Sequence, residues 1–73
     1  MSGKSDVSNA ILDELRREDA VGPEAAVDAS GVRRAIGARE HEFDASVSEL
    51  TSFGMVGMII GDLYLKHRLV GEE

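Results

Sequence analysis

The residues of this chain best suited to metal or acid–base chemistry are its two histidines, His41 and His67, and the carboxylates beside the first of them. Glu40-His41-Glu42, with Asp44 two positions on, sets one imidazole among three carboxylates. A zinc site needs about three or four convergent His, Cys or carboxylate ligands. One imidazole in a polar run predicts a solvated loop instead, with no metal and no other cofactor. There is no Cys, so thiolate ligands, Fe–S clusters and thiol nucleophiles are all excluded. Carboxylate pairs such as Asp13-Glu14 fall in a charged run, with no apolar cleft to raise a pKa for acid–base work. Gly54, Gly57 and Gly61 resemble neither a phosphate loop nor a dinucleotide fingerprint, because no Lys-Ser/Thr follows and no strand–Gly–helix order precedes. The sequence predicts no catalytic residue and no enzyme.

Binding is the remaining chemistry. The chain has 73 residues, eight Lys or Arg against 14 Asp or Glu, and a net charge of −6. An acidic balance argues against strong non-specific nucleic-acid binding, which depends on Lys and Arg neutralising phosphates. The excess is also local. Residues 38–54 carry one Arg against four carboxylates, which is half the net charge. The length permits one domain with a thin core, since chains of this size bury only about 60% of their unfolded surface. Residues 1–5 and 71–73 read as flexible tails. The N-terminus has no apolar signal segment, and Met55 to Leu65, broken by Gly57, Gly61 and Asp62, falls short of the ~20 residues of a membrane span. The expected location is the cytoplasm.

Four elements must position whatever the chain binds with. Val7, Ile11, Leu12 and Leu15 fall on one helical stripe and predict a first helix over 7–18, with Ser5 as N-cap and Asp13 facing Arg17. Gly22-Pro23-Glu24 reads as the start of a second helix running to Ile36, with Gly37 as its stop. Ala25, Ala29, Val32 and Ile36 form its apolar stripe, and Ser30 is a possible restart beside Gly31. Phe43, Val47 and Leu50 predict a third helix over 43–53, or from a few residues earlier, capped by Asp44 or Ser46 and ended by Gly54.

Gly61-Asp62 suits a two-residue type II′ hairpin turn. Folding there opposes Ile60 to Leu63, Met58 to Leu65 and Val56 to His67 on one largely apolar face. The other face opposes Ile59 to Tyr64, Gly57 to Lys66 and Met55 to Arg68. The alternative is a single all-α helix over about 46–70, which would have to carry Gly54, Gly57 and Gly61 at about 1 kcal/mol each. The fold class expected is α+β: three helices followed by a C-terminal β-hairpin.

That order resembles a winged helix-turn-helix domain over residues 23–70. The residues that carry the resemblance are Val47-Ser48-Glu49-Leu50-Thr51-Ser52-Phe53-Gly54-Met55-Val56 followed by Leu63-Tyr64-Leu65. Winged-helix regulators often end their recognition helix with Leu, a polar step and Gly-hydrophobic-Val, and then carry a Tyr between aliphatics in the wing. The resemblance implies that the third helix is the recognition helix and the hairpin tip the wing tip, with Asp44, Ser48, Thr51 and Ser52 outward. It implies a small DNA-associated transcriptional regulator, binding double-stranded DNA as a homodimer. Arg33, Arg34 and Arg39 would contact phosphates, Ser48, Thr51 and Ser52 would face the groove, and Lys66 and Arg68 would act from the wing. The sequence departs from the family's pattern in that the third helix has no Lys or Arg.

The alternative function is a protein-interaction module, either an adaptor or an acidic inhibitor of a basic surface. Met55, Ile59 and Tyr64 would then anchor the partner, and Glu40, Glu42, Asp44 and Glu49 would face it.

Overall fold

A computed structural model describes residues 4–67. Helix α1 spans Lys4–Arg17, strand β1 Val27–Asp28, helix α2 Ala29–Ile36, helix α3 Glu40–Ser52, strand β2 Val56–Ile59 and strand β3 Asp62–Leu65. A 3-10 turn over Pro23–Ala25 links α1 to β1. The strands form one antiparallel sheet in the order β1-β3-β2. The fold is therefore α+β, and no helix runs through residues 46–70. Among the described residues, no helix is long and apolar enough to cross a membrane.

Each helix buries the stripe its spacing dictates. Ile11, Leu12 and Leu15 of α1, Val32 of α2, and Phe43, Val47 and Leu50 of α3 close on Val56, Leu63 and Leu65 of the sheet. All three helices then stop in the same way. Ala20 N–H donates to Leu15 O at 2.9 Å and Asp19 N–H to Arg16 O at 3.0 Å. Ala38 with Arg33 and Gly37 with Arg34 repeat the pattern at 3.2 Å each, and Met55 with Leu50 and Gly54 with Thr51 repeat it at 3.0 and 3.1 Å. These are Schellman stops, which need a left-handed residue before the final donor. Asp19, Gly37 and Gly54 supply it, with φ of 55°, 70° and 77°. Gly37 and Gly54 are the stops expected from sequence.

The helix starts differ from expectation. α1 begins at Lys4, so Ser5 lies inside it and is not its N-cap. α3 begins at Glu40, so Asp44 and Ser46 are interior and Arg39 holds the cap position without a side-chain bond. The second helix starts at Ala29 and not at Pro23, because residues 20–28 have another task. Leu65 N–H donates to Ala20 O at 2.7 Å, and Gly22 N–H donates to Leu65 O at 2.9 Å. Val27 and Asp28 then pair with Leu63 and Asp62. A helix through 23–28 would leave Asp62 and Leu63 of β3 without partners on that side. Asp28 ends the strand and caps α2, accepting from Gly31 N–H at 2.9 Å. Asp28, not Ser30, is the restart.

The hairpin forms, with its turn one residue earlier than predicted. Val56 pairs with Leu65, Gly57 with Tyr64, Met58 with Leu63 and Ile59 with Asp62. The turn residues are Ile60 and Gly61, both at positive φ (47° and 83°), as a type I′ turn requires. Each strand keeps its inward and outward sides, because the partner of every residue moves by two positions. Val56, Leu63 and Leu65 stay inward. Ile60 does not: it is 97% exposed at the tip. His67 lies beyond β3 and is exposed, not opposite Val56. This register sets the Tyr64 ring against Gly57, where a Cβ would lie 2.7 Å from Tyr64 Cε1. An aromatic ring covering a cross-strand glycine recovers packing that the glycine lacks.

Candidate interaction face

Met55 N–H bonds to Leu50 O, so β2 departs from the C-terminal end of α3. Between them lies a groove of about 600 Å³. Asp44, Ser48 and Thr51 line it from α3, Val56 and Met58 from β2, and Tyr64 and Lys66 from the outgoing strand. Phe43 and Val47 add apolar surface. Helical spacing puts Asp44, Ser48 and Thr51 on one side of α3, and the apolar floor follows from the core stripe one step round the helix. Asp44, Ser48 and Ser52 are exposed and Thr51 half-buried. Thr51 Oγ1 donates to Ser48 O at 2.9 Å, which turns its hydroxyl back along the helix.

The residues expected to grip phosphate are dispersed. Lys66 lines the groove. Arg33 is half-buried, and its guanidinium donates to Ala38 O at 3.4 Å, bracing the turn into α3. Arg34 is exposed on α2. Arg39 lines a separate hollow with Asp6, Ile36 and Glu42, against α1. Arg68 lies outside the described residues.

The expected protein anchors divide in the same way. Tyr64 lines the groove as it covers Gly57. Ile59 is exposed near the tip. Met55 is a correction: it packs against the core as a half-buried residue, because the Schellman stop at Gly54 turns the chain inward there. Met58 and Ile60 were not singled out as surface anchors, although Met58 is 49% exposed and Ile60 lies at the tip. The one available signal was that moving the turn by one residue converts Ile60 from a strand position to a tip position.

Of the carboxylates, Glu40 and Asp44 are exposed on α3, whereas Glu42 and Glu49 are half-buried on its other flank. Among the described residues, no three His, Cys, Asp or Glu gather as a metal site. No protein-family model matches the chain, and neither a curated protein nor a solved structure matches it.

Proposed function

We propose that this chain is a non-catalytic recognition module of winged-helix type, and that its α3 face meets a protein with a basic surface. The order α1-β1-α2-α3-β2-β3 and the sheet order β1-β3-β2 support the architecture. So does the short turn at 37–39 between α2 and α3. A fold of this kind does not fix its partner, so the charge of the face carries the choice. Glu40 and Asp44 stand on the exposed side of α3, and no Lys or Arg occurs in that helix. Phosphates approaching this side would meet carboxylates, whereas a Lys- or Arg-rich protein surface would be complementary.

A DNA-associated regulator is the second reading. It is favoured by the gathering of Ser48 and Lys66 along one groove, since hydroxyl and ammonium groups both donate to phosphate oxygens.

Electrophoretic mobility of a short DNA duplex, titrated at about 50 and 200 mM salt, separates the two. The protein reading expects no retarded complex at either concentration. A complex that weakens at least about tenfold between them, and is lost in Lys66→Glu, establishes the DNA reading in its place.

A further inference from the structure

One wall of the groove is the edge of the sheet, and the hairpin register fixes which backbone groups face it. In an antiparallel ladder, hydrogen-bonded and non-hydrogen-bonded pairs alternate. Lys66 N–H donates to Met55 O at 3.1 Å, which brackets Val56 and Leu65 as a non-hydrogen-bonded pair. Leu65 agrees, since its N–H and carbonyl bond to Ala20 and Gly22 on the opposite side. Two residues on, Met58 and Leu63 are of the same kind. The N–H and C=O of Met58 therefore point away from β3, over the free edge of β2. That strand, Val56-Gly57-Met58-Ile59, has no charge and no Pro to protect the edge. Met58 also lines the groove.

We infer that the groove accepts an extended segment of another protein as a fourth strand, paired to the edge of β2. The inference rests on the protein reading above and names the mode of contact. Charge defines the occupant. Lys66 stands at the base of the groove, tied through Met55 to the end of α3. Asp44 precedes Thr51 by seven residues, which puts it about 10 Å further along the helix wall. An extended chain covers that distance in about three residues, and a fourth carries it past Thr51 to the base; the two ladders of this sheet are antiparallel, with one parallel bridge, Val21 to Leu65, on the far side of β3. The segment then runs toward the base. It carries a basic side chain beside Asp44, an aliphatic one over Phe43 and Val47, and an acidic one beside Lys66. The alternation of strand side chains sets these at every second position, basic-x-aliphatic-x-acidic.

The test titrates the isotopically labelled chain with the blocked peptide Lys-Thr-Val-Thr-Glu, read by amide NMR. The largest shifts are expected at Val56 and Met58, with hydrogen exchange at Met58 slowed at least tenfold at saturation. The reversed peptide Glu-Thr-Val-Thr-Lys should bind at least threefold more weakly. The double variant Asp44→Lys with Lys66→Glu should invert that preference, and both substitutions are on exposed side chains. Two peptides N-methylated on alternate residues, in opposite phase, complete the set. A ladder uses alternate amides, so one should bind like the parent and the other at least tenfold more weakly.

Equal binding by both methylated peptides overturns strand addition. Peptide shifts confined to Glu40, Asp44 and Ser48, with Met58 silent, also overturn it but leave the protein reading intact. A DNA duplex that moves these amides when no peptide does overturns both. Shifts at Met58 that depend on protein concentration alone assign the edge to a second copy, and strand addition by a foreign segment fails.

Discussion

Helices α1 and α3 are nearly equal in length, 14 and 13 residues, and each buries an aliphatic stripe against the same core. Their outer faces are built differently. α1 pairs its charges within itself: Asp13 with Arg16, and Arg17 with Glu14 at 2.6 Å and Glu18 at 3.3 Å. The hydrogen bonds that Arg17 donates to Glu14, and then the charges of Glu14 and Glu18, raise the Arg17 pKa above its ordinary value. α3 has no Lys or Arg with which to pair, and its groove side presents exposed Asp44 and Ser48 beside Thr51, whose hydroxyl bonds back to Ser48 O. One helix has its surface chemistry completed internally. The other presents carboxylates and hydroxyls beside an apolar groove, which is why the functional proposal sits there.

The largest effects should show that the two helices are equivalent on the inside. Leu15→Ala in α1 and Leu50→Ala in α3 each remove a buried side chain and should each cost about 2–5 kcal/mol by urea denaturation. In so small a domain either one brings the chain near global unfolding. If Leu50→Ala cost less than about 1 kcal/mol, α3 would not belong to the core, and the comparison would collapse.

Gly57→Ala comes next, because it tests the wall that only the α3 side possesses. The new methyl meets the Tyr64 ring, and a loss of about 1–3 kcal/mol is expected from overpacking. Adding Tyr64→Ala should relieve part of that loss. Additive effects across the double-mutant cycle would mean the ring does not lie over the glycine.

Ile60→Asn should go the other way. A β-branched residue at positive φ is strained by about 1–3 kcal/mol, and Asn suits the first position of a type I′ turn. A rise in thermal midpoint, with Met58 peptide binding retained, would separate tip strain from edge recognition. An unchanged or lower midpoint would place the turn elsewhere.

The smallest effects sharpen the contrast between outer faces. Glu14→Gln should lower the urea midpoint only slightly through its lost pair with exposed Arg17, and less at high salt. Asp44→Asn should leave stability within about 0.5 kcal/mol while weakening the basic end of the peptide. Equal stability losses from both would erase the distinction between a completed face and an open one.

Much of the framework was legible in the residues. The stripes Ile11-Leu12-Leu15 and Phe43-Val47-Leu50, the stops at Gly37 and Gly54, and a hairpin near Gly61 each follow from short-range periodicity or from a glycine at positive φ. The α1 ion pairs were legible in kind, though not in partner: Arg17 takes Glu14, and Asp13 takes Arg16. Strand β1 was not legible. Val27-Asp28 is two residues long, and Pro23-Glu24 before it is a sound helix start that loses to the hydrogen-bonding needs of β3. The groove was half legible. Its α3 side follows from the helical positions of Asp44, Ser48 and Thr51, but its Met58 edge depends on a register that a one-residue shift of the turn rewrites.

By itself, then, the sequence determined the stripes of α1 and α3 but not that of α2, whose expected first member Ala25 lies in the 3-10 turn before it, together with two of the three helix stops, the presence of a hairpin and the acidity of α3. All of these are set within a few residues by side-chain spacing, backbone permissiveness and formal charge. Tertiary structure alone decided the start of α2, the hairpin register and the separation of Arg39 from Lys66. Those depend on what lies across the chain. β3 needs partners on both sides, Tyr64 needs a glycine beneath it, and a surface charge takes its meaning from the groove or hollow it borders.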